Sequence, residues 1–186
     1  MAMTEVLTVP FIRSYWVVPG LFLAGYYPGD EDPAIAREKL EKLLDAGIRC
    51  IVNLMEADEL DHEGLPFTPY DEDFRHLGAQ RGVEVEVLRF PIHDMQVPSR
   101  ATMRAILDAI DDCIQRKQPV YVHCWGGVGR TGTVVGCWLA RHGIATGEAA
   151  IARIAELRQG DVVRRSRPSP ETEPQRALVR SWRVGE

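Results

Sequence analysis

Pro119-Val120-Tyr121-Val122-His123-Cys124-Trp125-Gly126-Gly127-Val128-Gly129-Arg130-Thr131 is the stretch from which the rest of the chain can be read. Residues 119–123 are apolar and β-branched in alternation, a strand that ends on a cysteine. Residues 130–142 carry an apolar helical pattern that Gly143 stops. Between them lies a five-residue spacer dominated by glycine. Such a spacer curls so that its backbone N–H groups point inward, forming a nest for a dianionic phosphate or sulfate. The nest sits at a helix N-terminus, where free N–H groups and the positive end of the helix dipole favour the same anion and a thiolate at Cys124. Arg130 closes the loop with a fork that matches phosphate oxygens. Thr131 is placed to offer its hydroxyl to the sulfur, and His123 to orient the loop from behind. The residues assigned to anion binding are therefore Trp125, Gly126, Gly127, Val128, Gly129 and Arg130. A nucleotide-binding loop is excluded, because the lysine of GxxxxGK[ST] is absent.

Working outward, residues 17–18 and 21–24 read as two short strands about the Pro19-Gly20 turn. Asp32 caps a helix with Pro33 in its first turn; Ile35, Leu40, Leu43 and Leu44 form its apolar stripe and Gly47 ends it. Residues 48–54 form a buried strand. Residues 55–82 are acidic and irregular, with a short helix over 71–81, and are expected to rim the loop, with Tyr70 and Phe74 as contacts. Tyr26, Tyr27 and Trp125 are further lining candidates. Residues 83–90 alternate as a strand, and 91–98 form a loop. Ser99 caps a helix bearing Met103, Ile106, Leu107, Ile110 and Ile114. Thr146 caps another that runs to about residue 158. A basic turn holds Arg164, Arg165 and Arg167, and Ser169 caps a last helix over 170–182. Helices alternating with strands give an α/β class: a central mixed, mostly parallel sheet flanked by helices. The expected organisation is one domain over residues 1–186, with its core at about 17–182.

The 186 residues carry a net charge of −5, which argues against nucleic acid or an anionic membrane surface as partner. The first twenty residues hold no apolar run long enough for a signal peptide or membrane span. Met3 offers a second start, so Met1-Ala2 reads as a possible addition. Cys50, Cys113, Cys124 and Cys137 fit neither a zinc pattern nor a disulfide framework, so no metal or cofactor is implied. A reducing cytoplasm is the expectation, and it keeps a reactive thiol free. Cys137 reads as core and Cys113 as packing or surface. Cys50 reads as core too, with a protective disulfide to Cys124 as its alternative.

His123-Cys124-Trp125-Gly126-Gly127-Val128-Gly129-Arg130-Thr131 resembles the HCxxGxxR[ST] signature of the cysteine-dependent protein tyrosine phosphatases. Chain length and motif position are similar to the compact dual-specificity-like branch, and the loop resembles that of the kinase-associated phosphatase subgroup. Phosphoryl transfer to a thiolate needs an acid to protonate the departing oxygen. The resemblance supplies one on a loop about thirty residues upstream, the place of Asp94 in Phe90-Pro91-Ile92-His93-Asp94; His93 and Asp61 are the substitutes. It also implies a glutamine that positions the hydrolytic water, matched by Gln175 in Ser169-Pro170-Glu171-Thr172-Glu173-Pro174-Gln175.

The mechanism that follows is a cysteinyl-phosphate pathway: Cys124 as nucleophile, Arg130 and the loop N–H groups holding the equatorial oxygens, Asp94 as acid and then base, Thr131 steadying the thiolate. The implied partner is a phosphorylated protein or peptide, with phosphotyrosine leading and phosphoserine or phosphothreonine beside it. An inositol-phosphate or phosphoinositide phosphatase is the alternative. The uncharged spacer counts against it and the Arg164–Arg167 turn speaks for it. A phosphate-binding module without catalysis is the third reading.

Overall fold

A computed structural model describes residues 8–186; Met1 and Ala2 lie outside the described residues. Five strands form one sheet: β1 (Ser14–Val18), β2 (Phe22–Gly25), β3 (Cys50–Asn53), β4 (Glu86–Arg89) and β5 (Val120–His123), in the order β1-β2-β5-β3-β4. β1 pairs antiparallel with β2, and every other pairing is parallel. The expected mixed, mostly parallel sheet is therefore present. β5 is the middle strand, with Val120–His123 in register with Phe22–Gly25 on one side and Cys50–Asn53 on the other. A central parallel strand is covered on both faces, which is why all four of its residues are apolar or fully paired.

Among the described residues six α-helices flank the sheet: α1 (Pro33–Asp45), α2 (Asp71–Gln80), α3 (Arg100–Gln115), α4 (Gly129–Arg141), α5 (Glu148–Leu157) and α6 (Glu173–Ser181). The side-chain period of two along β5 divides the core into layers. Val120, Val122 and Cys124 join the layer under α3–α6, whereas Tyr121 joins the layer under α1 and α2. Asp32 caps α1, accepting from the Ala34 N–H, and Ser99 caps α3, accepting from Thr102, both as the sequence implies. Among the described residues no helix is long and apolar enough to cross a membrane.

Several local expectations change. Ile35 is 46% exposed, and Ala36 and the stem of Lys39 take its place in the α1 stripe. Lys39 tolerates this because its ammonium donates to the Gly29 carbonyl at 2.5 Å and pairs with Asp30 at 3.2 Å. β4 is shorter than residues 83–90 and does not alternate. It is an edge strand, so Glu86, Val87 and Leu88 are only partly buried and Arg89 is exposed. On α3, Cys113 is fully buried and Ile114 only partly. Gly147, not Thr146, occupies the N-cap of α5. The last helix starts at Glu173, not at residue 170. Thr172 accepts from the Gln175 N–H while the Gln175 side chain accepts from the Thr172 N–H, a reciprocal capping box. Ser169 is instead drawn inward, donating its hydroxyl to the Val128 carbonyl at 2.7 Å.

Candidate active site

β5 ends at the middle of the sheet's carboxyl edge, the place where parallel α/β sheets hold ligands. From there the chain turns through residues 125–128 into α4. Gly127 has φ +71°, and a Cβ there would stand 2.6 Å from the Gly25 backbone. Only glycine serves at that position. Among the described residues, no N–H group from Trp125 to Arg130 has a protein acceptor. That leaves a row of donors at a helix start, the requirement for an anion nest. Ser169 and the Tyr27 N–H, which donates to the Trp125 carbonyl at 3.0 Å, fasten the loop from outside by its carbonyls.

Cys124 lies at the floor, 3% exposed, with the Thr131 hydroxyl 3.1 Å from its sulfur. A hydroxyl donating to sulfur stabilises negative charge there. His123 is fully buried behind the loop. Its Nδ1 lies 3.0 Å from the Cys124 carbonyl, and its Nε2 lies 2.5 Å from the Tyr70 hydroxyl. The carbonyl only accepts, so Nδ1 carries the proton and Nε2 accepts from Tyr70. Burial pushes the His123 pKa down to about 3, helped by the charges of Arg89 and Arg130 and opposed by the Cys124 carbonyl. The imidazole is thus a neutral strut of the loop.

A stability effect follows. The unfolded chain takes up a proton on His123 below about pH 6.5, and the folded chain refuses it until about pH 3. Protonation therefore favours unfolding throughout that window. Urea titrations should show stability falling by about 1.4 kcal/mol per pH unit from this group, some 2 kcal/mol between pH 7 and pH 5. His123→Gln should flatten the slope; an equally steep variant would assign the loss elsewhere.

Arg130 is buried to 1% of its side chain. Its two terminal nitrogens each meet Glu59, at 2.7 Å and 2.7 Å, one of them also donates to the Ile92 carbonyl at 2.9 Å, and the other lies 3.1 Å from Asp94. Burial lowers its pKa, but the Glu59 hydrogen bonds and the charges of Cys124, Glu59 and Asp94 outweigh that and hold it above the ordinary guanidinium value. Among the described residues its Nε is buried without a partner. Nothing local in the sequence singles out Glu59 from Glu56, Asp58, Asp61 and Glu63.

Asp94, Cys124, Trp125, Arg130 and Glu171 line one cavity of about 130 Å³. The Asp94 loop is held over it by the Arg130 contact and by the Met95 N–H, which donates to the Asp94 carboxylate at 3.0 Å. The two substitutes for Asp94 are elsewhere. His93 meets Glu56 at 2.9 Å, and Asp61 accepts from the N–H groups of Glu63 and Leu65 in its own turn.

Gln175 is fully buried beside the loop; a Cβ on Gly129 would stand 3.1 Å from its amide. Its oxygen accepts from the Glu171 and Thr172 N–H groups, and its nitrogen donates to the Gln96 carbonyl at 3.3 Å. The amide is spent on backbone groups, tying the α6 entry to the Asp94 loop. The Thr-x-x-Gln spacing of a capping box was the sequence signal for this arrangement.

Tyr70 and Phe74 are core residues, 2% and 0% exposed, not rim contacts. Trp125 does reach the mouth, its ring 4.2 Å from His62 and 5.3 Å from Phe67. Tyr26 and Tyr27 stand aside from this cavity. Cys50 is not near Cys124. It pairs across the sheet with Val120, three residues or about 10 Å of strand before His123, and its sulfur lies 2.8 Å from that of Cys113. All four cysteines are free thiols.

Solved structures share this fold. Tk-PTP in its active form superposes with a TM-score of 0.64 at 24% identity, over 90% of this chain and 93% of that one. A kinase-associated phosphatase whose catalytic-site cysteine is replaced by serine gives 0.64 at 22%, over 85% and 83%. PTPMT1 in complex with PI(5)P gives 0.66 at 21%, over 91% and 94%. Among curated proteins, the chain is 36% identical over 76 residues to the dual specificity protein phosphatase CDC14B of Mus musculus, covering 40% of this chain and 16% of that protein. An uncharacterised protein of Methanocaldococcus jannaschii matches at 37% over 62 residues, 33% of this chain and 39% of that one. The chain thus spans well under two thirds of these relatives. A family model described as "Polymorphic toxin system, DSP-PTPase phosphatase" matches residues 28–144, more than half of the chain. The matched span includes the whole loop from His123 to Thr131, and the chain belongs to that DSP-PTPase family of dual-specificity-like cysteine phosphatases.

Proposed function

We propose that the protein hydrolyses phosphomonoesters through a cysteinyl-phosphate, within a single domain and in a reducing compartment such as the cytoplasm. The observation that carries this is the convergence of Cys124, the Thr131 hydroxyl, unpaired loop N–H groups, Arg130 and Asp94 on one small cavity.

In the first step the Cys124 thiolate attacks phosphorus in line with the leaving oxygen. The S–P bond forms as the P–O bond breaks, and Asp94 delivers a proton to the departing oxygen. The loop N–H groups and Arg130 hold the equatorial oxygens, where charge accumulates. A phosphate on the loop competes with Asp94 for the Arg130 nitrogen 3.1 Å away, freeing the carboxyl to meet the leaving group. In the second step Asp94 takes a proton from a water that attacks phosphorus, and the sulfur leaves as thiolate, steadied by Thr131. Gln175 acts by fixing the 171–175 segment against Gly129 on the water's side of the cavity.

The uncharged residues of the loop favour one phosphate on a protein side chain, phosphotyrosine first. One observation favours a second reading, a substrate with further phosphates: Arg13 and Arg164 come to the loop from distant parts of the chain.

Asp94→Asn tests the acid. Turnover of phenyl phosphate should fall about 100-fold, and that of p-nitrophenyl phosphate, whose leaving group needs little protonation, less than about 10-fold. Equal losses on both esters would move the acid to another residue.

A further inference from the structure

We infer that Arg13 and Arg164 form a second anion subsite at Gly126, which takes a second phosphate of a substrate bearing two phosphates on one compact polyol scaffold. The inference rests on the phosphatase reading for the first phosphate, and on four observations for the second.

Both guanidiniums converge on one glycine. Arg13 donates to the Gly126 carbonyl at 3.3 Å, and an Arg164 terminal nitrogen lies 3.6 Å from where a Gly126 side chain would begin. Neither makes an ion pair with a described residue, although the charge of Asp161 reaches Arg13 through space. Among the described residues Arg164 makes no ion pair and no side-chain hydrogen bond, and Arg13 has no ion pair and a buried Nε without a partner. Arg167, by contrast, is engaged by Glu171. Two cations held close repel, Asp161 offsets part of that cost at Arg13, and an anion between them removes the remainder. Burial, and after it the charge of Arg164, lowers the Arg13 pKa.

The position of Arg164 is also built. The buried Arg158 donates to the carbonyls of Arg164 and Arg167, each at 2.9 Å, and Asp161 accepts from the Arg164 N–H at 2.9 Å. Arg13 is stacked 4.1 Å over the Tyr26 ring. The Arg13 guanidinium and the Arg164 backbone are thus held in place, which limits the entropy lost on binding.

Geometry selects the scaffold. Gly126 is two residues from Cys124, so the backbone positions that would hold the two phosphates lie within about 7 Å of each other. A phosphotyrosine lifts its peptide, and any neighbouring phosphoresidue, a ring's length above the loop. Phosphates on neighbouring carbons of a polyol ring lie side by side at one level. Charge that the spacer residues lack is here supplied from outside the loop.

The test uses the full chain with Cys124→Ser, so that binding is read apart from turnover. Calorimetry should show a soluble inositol bisphosphate with adjacent phosphates binding at least about 10-fold tighter than inositol monophosphate, the effect of one or two charge-assisted contacts. Adding Arg164→Gln should abolish most of that preference, and Arg164→Lys should keep part of it. Vesicles of phosphatidylcholine with phosphatidylinositol bisphosphate distinguish a lipid headgroup from the free polyol; preference for either supports the subsite. Equal affinity for the mono- and bisphosphate overturns it, as does an Arg164→Gln loss of the same size for both. A doubly phosphorylated peptide that binds more tightly than the inositol bisphosphate overturns the polyol scaffold. If the unsubstituted chain fails to hydrolyse p-nitrophenyl phosphate while the bisphosphate preference holds, the hydrolase reading falls and the subsite stands.

Discussion

Cys124→Ser is expected to reduce p-nitrophenyl phosphate turnover by about 10⁴-fold or more while leaving phosphate affinity within a few-fold of the original. The two halves of this result come from different atoms. Turnover needs a nucleophile that carries negative charge, and the Thr131 hydroxyl at 3.1 Å together with the α4 N-terminus supports a thiolate far better than an alkoxide. Affinity is expected from the N–H groups of residues 125–130 and from Arg130, none of which the substitution touches. A serine differs from the cysteine by one atom in a site 3% exposed, so the loop has no cause to rearrange. Retention of appreciable turnover would show that another group attacks phosphorus. Loss of both turnover and anion binding would show instead that the loop depends on the sulfur for its shape.

Arg130→Lys carries the second largest effect, a loss of about 10³-fold in kcat/KM. Four contacts fix the guanidinium: two to Glu59, one to the Ile92 carbonyl and one to Asp94. A lysine ammonium has no fork with which to meet two carboxylate oxygens and two phosphate oxygens in one plane. Glu59→Gln should act through the same contact. It removes the charge opposite a buried cation and lets Arg130 drift toward Asp94, for a loss of about 10- to 100-fold. The double variant should lose little more than Arg130→Lys alone, because residues acting through one contact are not additive. A multiplicative loss would mean that Glu59 acts independently of Arg130.

Glu59 also shows where sequence reading stops. It stands in an acidic run with Glu56, Asp58, Asp61 and Glu63, all equally plausible by local pattern. Its selection depends on a fold in which residues 71 positions apart meet. Cys50 is a similar case. It is core, as its pattern implies, but the alternative of a disulfide to Cys124 depended on strand register, which sets its sulfur at the other end of the strand against Cys113. Gln175, expected to position a water, stands beside the loop with its amide oxygen taken by the turn that starts α6. Tyr70 was expected at the rim and lies in the core, where its hydroxyl finds His123.

What the sequence by itself determined is the strand, the glycine loop, the cysteine at its floor and the arginine at its end; the place of Asp94, 30 residues ahead (94 to 124), came from the resemblance. Those features are legible because the interactions that define them are short in sequence: a nest closes within six residues, a hydroxyl reaches a sulfur seven positions away, and a helix starts where the loop stops. What only the tertiary structure decided is which charges surround that loop. Arg13 reaches Gly126 across 113 positions, and Arg164 arrives from the turn after α5. Charges act through space while local pattern runs along the chain. A spacer with no charge of its own therefore says little about the field in which it folds.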